Sequence, residues 1–128
     1  MSAQQALDAL LEQQETLPRG PRREGTFAVW LLARIALDVG RASADADRAE
    51  RRRLALLERR LAPLAVPRPL ARGLTTALTH LGEGTPRSAR VALSQLVAPV
   101  HESLGPGAGE AVAMMARELH DLQQGGSA

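Results

Sequence analysis

The chain has 128 residues, 45% of them hydrophobic and 23% charged, with a formal net charge of +2, which is the composition of one globular domain rather than of a disordered or fibrous chain. A domain of this size buries about two thirds of its unfolded surface and needs no disulfide or structural metal; having no cysteine, it also excludes thiolate metal sites and cysteine nucleophiles. Every basic residue is Arg and none is Lys, so nothing titrates between His and Arg and the isoelectric point is high without a large charge surplus; +2 does not by itself imply a nucleic-acid partner.

Phe27 and Trp30 are the only aromatic residues and there is a single Ile. The core must be built from Leu, Ala and Val, and the strong helix propensity of Leu and Ala, with few β-branched and aromatic residues, predicts an all-α fold. The N-terminal MSAQQALDALLEQQ lacks the basic-then-apolar pattern of a signal peptide. The longest apolar run, residues 27–33, is far too short to span a bilayer. A cytoplasmic protein with no membrane partner is therefore expected.

Strong punctuation divides the chain into six helical segments. The first runs over Ala3–Thr16, with Ala3, Ala6, Leu7 and Leu10 on one stripe. LPRGPRREG follows and reads as an exposed linker. Thr26 can cap a second helix over Phe27–Val39, stopped by Gly40. Ser43 can cap a third, with Asp45 and Asp47 in its positive first turn, ending at Pro63. PLAVPRP turns the chain into a fourth helix that reaches Leu81. LGEGTP supplies a stop, a Thr85 cap and Pro86 at the first position of a fifth, which reaches Leu104 and is expected to bend at Pro99. GPGAG separates it from a sixth, Glu110–Leu122. The boundaries so read are 1–17 for an N-terminal amphipathic helix, 18–25 for the linker, 26–123 for a bundle of about five to six helices, and 124–128 for a disordered tail. Ala-Arg recurs at 33–34, 71–72, 89–90 and 116–117, but no solenoid period emerges.

Spacing at 100° per residue gives the later helices one apolar stripe each: Leu54, Leu57 and Leu61; Leu70, Leu74, Ala77, Leu78 and Leu81; Ala89, Leu93, Leu96, Val97, Val100 and Leu104; Ala111, Val112, Met115, Leu119 and Leu122. The second helix is apolar nearly all round, so helix 27–39 is predicted at the centre of the bundle.

The unusual spot lies on that helix. Arg34 and Asp38 are its only charges, one turn apart and on the side of Phe27, Trp30 and Leu31. A charge leaves water at high cost unless it is paired, so the pair is either a solvent-facing edge or part of an interface in which Trp and Arg serve as anchors. Phe27, Trp30, Arg34 and Asp38 are the interface candidates. Residues 48–60 hold six Arg against two Glu, with Arg48, Arg52 and Arg59 opposite the apolar stripe. They are the candidates for tracking phosphates, although no aromatic is interleaved to stack on bases and a solvated face explains them as well. The linker arginines Arg19, Arg22 and Arg23 extend the same two readings.

His80, His101 and His120 form no ligand pair on a helix face, and neither GEG nor GPGAG follows a strand or carries the Lys of a phosphate-binding loop. Met114 and Met115 read as gap fillers. No catalytic residue, metal or cofactor is expected. The first helix, marginal on its own in water, must close its own bundle or dock on a partner. The expected function is a non-enzymatic helical interaction or assembly subunit that self-associates, with a protein or a second copy of the chain as partner. Nucleic-acid binding through the Arg-rich third helix is the alternative, and a small-ligand-binding bundle using Arg34, Asp38 and His101 is the second alternative.

Overall fold

Capping chemistry fixes the helices whose limits the sequence marks best. In the computed structural model, which describes residues 2–41, 44–61 and 66–126, the order is α1 (Ala3–Thr16), α2 (Pro21–Arg41), α3 (Ala44–Leu61), α4 (Arg68–Leu81), α5 (Pro86–Leu104) and α6 (Pro106–Gly126), with no strand among the described residues. Ser2 and Gln5 form a reciprocal capping box: the Ser2 hydroxyl accepts from the Gln5 backbone N–H and the Gln5 side chain accepts from the Ser2 N–H. At α5 the Thr85 hydroxyl accepts from the Ser88 N–H at 3.0 Å, Pro86 fills the first turn, and Ser88 donates to Glu83 at 2.7 Å.

Four sequence expectations are corrected. Residues 21–25 of the expected 18–25 linker are the first turns of α2, because Pro21 suits a first helical position and Glu24 complements the positive helix end. Thr26 is accordingly not a cap; it is buried within the helix and donates to the Arg22 carbonyl at 2.8 Å. Gly40 does not stop α2, which continues to Arg41. Only Gly105, at φ +100°, separates α5 from α6, so Pro106–Gly109 of the expected separator are helical and α6 extends past Leu122 to Gly126. Residues 124–126 of the expected tail are thus helical, while the last two residues and the expected Ser43 cap lie outside the described residues.

The result is an all-α, single-domain bundle. α2 packs against all five other helices, as its all-round apolar sequence requires. α5 lies between α4 and α6, α1 spans α2 and α6, and α3 covers α2 and α4. Ala3, Ala6, Leu7 and Leu10 join the same core as the rest, so α1 closes its own bundle. Its N-terminus is tied down by Glu118 on α6, whose carboxylate accepts from the Ala3 N–H at 3.1 Å and pairs with Arg41 on α2. The predicted stripes are largely buried; Leu122 is the clear departure, 44% exposed because α6 runs beyond the core. The Leu61 side chain lies outside the described residues. α5 continues through Pro99, whose ring seats against Gly73 of α4.

That contact is testable. A Cβ at position 73 would stand 2.4 Å from Pro99 Cγ, and a ring held in a helix cannot turn aside. Overpacking of about 1–3 kcal/mol should outweigh the propensity gain of about 1 kcal/mol, so Gly73→Ala is expected to destabilise. Gly107→Ala, with nothing within 4 Å, should stabilise by about 0.5 kcal/mol in the first turn of α6. Urea titration, with unchanged slope, reads both signs.

Candidate functional site

Helical spacing puts Phe27, Trp30, Leu31, Arg34 and Asp38 on one strip of α2, and the burial of Ala28, Val29, Leu32, Ala33, Ile35 and Ala36 on the other side leaves that strip facing outward. The buried core contains no aromatic side chain; Phe27 and Trp30 are both half-buried instead. Their rings stack with centroids 5.7 Å apart and planes 27° from parallel, and the Arg34 guanidinium lies over the Trp30 ring at 5.8 Å. Such a cation–π contact contributes about 0.5–1 kcal/mol at an exposed site. Arg34 Nε is 4.0 Å from Asp38 Oδ2, with side chains 52% and 40% exposed. All four interface candidates therefore share one surface, and the two charges reach solvent while also pairing.

Asp38 has a second partner that the helical wheel could not supply. Arg53 of α3 donates to Asp38 at 3.4 Å and to both oxygens of Glu50 at 2.9 Å. Glu50 is largely buried, so the Arg53 guanidinium, whose Nη1 reaches both of its oxygens, offsets a carboxylate removed from water.

At the other end of the strip a groove of about 530 Å³ opens between the end of α1, the start of α2 and the end of α3. Phe27, Ala28 and Leu57 form its apolar floor, and Arg19, Arg23 and Arg60 stand around it with Glu24 as the only carboxylate in the lining. Arg23 donates to the Leu17 carbonyl at 3.3 Å; among the described residues Arg19 and Arg60 have no ion-pair or hydrogen-bond partner. The third linker arginine, Arg22, points elsewhere and reaches the Leu104 carbonyl at 3.5 Å.

Arg48, Arg52 and Arg59 are exposed on α3. Arg51 is held by the Glu83 carbonyl at 3.1 Å and Arg53 by the carboxylates above. The side chains of Asp45 and Asp47, expected to pair along this helix, lie outside the described residues. The histidines stay apart. His80 approaches Glu83 at 3.9 Å, His101 packs on Gly109, and His120 Nδ1 accepts from Arg90 at 2.9 Å. Among the described residues no three His, Asp or Glu side chains gather as metal ligands, and no helix is long and apolar enough to cross a membrane. His101 lies on α5, not among the residues of the α2 strip or the groove, so Arg34, Asp38 and His101 are not brought together as one lining.

The two charged contacts of the strip should differ in weight. Arg53→Ala strips a buried carboxylate of its partner and is expected to cost about 1–2 kcal/mol. Arg34→Ala removes only an exposed pair and should stay within about 0.5 kcal/mol. Equal midpoints for the two variants in urea would show that Glu50 is well solvated without Arg53. Comparison with protein-family models, curated proteins and solved structures finds no match to this chain.

Proposed function

We propose that the chain is a non-enzymatic protein-interaction subunit that docks an acidic, apolar segment of a partner protein along the exposed strip of α2. The observation that carries this reading is the placement of both aromatics of the chain, stacked and half-exposed, on the outer edge of its central helix while the core holds none. A large apolar ring kept at a surface gives up burial worth up to about 3 kcal/mol. Trp, Phe and Arg clustered in this way are the residue types that dominate binding energy at interfaces.

Charge selects the occupant. Arg34 and the groove arginines Arg19, Arg23 and Arg60 outnumber Glu24 and Asp38, and Asp38 is already engaged by Arg34 and Arg53. A second copy docked about a two-fold axis would oppose this basic strip to itself, and like charges across a contact are costly. An acidic segment with one or two large apolar residues suits both the charge and the ring stack. The protein partner is favoured over duplex nucleic acid because Phe27 and Trp30 sit on a different helix from Arg48, Arg52 and Arg59.

A phage-displayed peptide library panned on the chain tests this directly. Selected peptides should pair Asp or Glu with Leu, Phe or Trp, and Trp30→Ala should weaken them by about 2 kcal/mol or more with the helical circular dichroism retained. Arg34→Glu, at an exposed position, reverses charge without touching the core and should abolish their binding. Peptides without acidic character, peptides indifferent to Arg34→Glu, or a stable dimer in light scattering would each overturn the reading.

A further inference from the structure

We infer that the groove between α1, α2 and α3 is a binding site for a small organic anion with an apolar body, such as a medium-chain carboxylate or phosphate monoester. Its volume of about 530 Å³ falls in the range of small-molecule sites, which combine apolar walls with a few convergent polar groups. Phe27 and Leu57 offer the walls. The polar groups are the Gln14 amide and three guanidiniums from separate stretches of the chain, Arg19 before α2, Arg23 in its first turns and Arg60 near the end of α3, against the single carboxylate of Glu24.

Ordinarily arginines brought together on a small domain are neutralised by neighbouring carboxylates, as Arg53 is by Glu50. Here Arg19 and Arg60 have no such partner among the described residues. A planar guanidinium presents its donors as a fork that matches a carboxylate or phosphate. The start of α2, with Gly20 in the groove lining, adds the positive end of a helix dipole on the same side. An anionic head held by Arg19 and Arg60 leaves its tail over Phe27 and Leu57. A neutral or cationic head on the same tail lacks this match.

The groove adjoins the docking strip and shares Phe27 and its arginines with it, but Trp30, Leu31 and Arg34 do not line it, so octyl-anion binding and peptide binding that depends on Trp30 and Arg34 are read by different variants. Either reading can therefore fail alone. Isothermal titration of the full chain with octanoate and with octyl phosphate is the test, set against octylamine and inorganic phosphate. Saturable binding of at least one octyl anion at about 1 mM or below is expected, with neither control bound. The arm that binds more tightly identifies the head group. Arg19→Ala and Arg60→Ala should each weaken it by about tenfold, the loss of one charge-assisted contact, whereas Arg48→Ala, equally exposed on α3 but outside the groove, should not. Circular dichroism of all three variants confirms that each is folded. Absence of binding by both octyl anions, equal binding of octylamine, or equal loss in Arg48→Ala overturns the assignment.

Discussion

A core without aromatic rings can close only if its helices come near one another. Helix axes sit about 8–10 Å apart depending on the side chains at the contact, and this bundle relies on the small ones. Ala28, Ala33 and Ala36 on α2, Ala77 on α4, and Ala89 and Ala92 on α5 are all buried. Gly73 admits the Pro99 ring, and Gly40 admits the Leu119 side chain from α6. Between these approaches the larger Leu, Val and Met side chains fill the remaining volume, and interiors tolerate few voids. α2 has the widest apolar surface of the six, which is why it meets every other helix.

The same constraint shapes the surface. A Phe or Trp placed among closely approaching helices would push them apart, so both rings stand at the one outward edge of α2. They are joined there by Arg34, whose planar group stacks on an aromatic face in a way an ammonium does not. At Arg53 a single guanidinium nitrogen, Nη1, reaches both oxygens of Glu50 and also Asp38. Where three helix ends diverge beyond Phe27, close packing ceases and the groove opens. Packing, ring placement and the cationic rim are thus consequences of one composition.

Much of the architecture could be read from the sequence where local chemistry decides it. α1 keeps its expected bounds, Ala3–Thr16, and α5 begins and ends where Thr85, Pro86 and Gly105 indicate, because caps act within one turn. The start of α2 was hidden because Pro, Gly and Arg mark loops and first turns alike; its helicity depends on Gly25 and Thr26 being buried, Gly25 lying against Leu70 and Leu104, which are distant in sequence. Gly40 and Gly109 misled for the same reason, since contact with Leu119 and His101 supports glycines that propensity disfavours. Phe27, Trp30, Arg34 and Asp38 could be grouped from spacing on one helix. The groove could not, because Gln14, Leu57 and Arg60 reach Phe27 only through the packing of three helices. Nor could the Asp38–Arg53 link, whose signal in the sequence was only one arginine among six.

α3 gives that link its significance. Among the described residues it packs on α2 and α4, and Glu50, Leu54 and Leu57 are its described buried side chains. Few apolar contacts leave an element free to open locally, and the two leucines buried among the described side chains of α3 do little to fix its rotation about its own axis. Arg53 supplies the missing constraint. Its Nη1 is held by both oxygens of Glu50, and the contact of the same nitrogen with Asp38 ties α3 to α2. Leu57 and Arg60 follow at four and seven residues along the same face. Anchoring Arg53 at one end of the α2 strip therefore turns Leu57 and Arg60 toward Phe27 at the other. Beyond compensating the buried Glu50 carboxylate, the Arg53 contacts aim the helix that completes the groove.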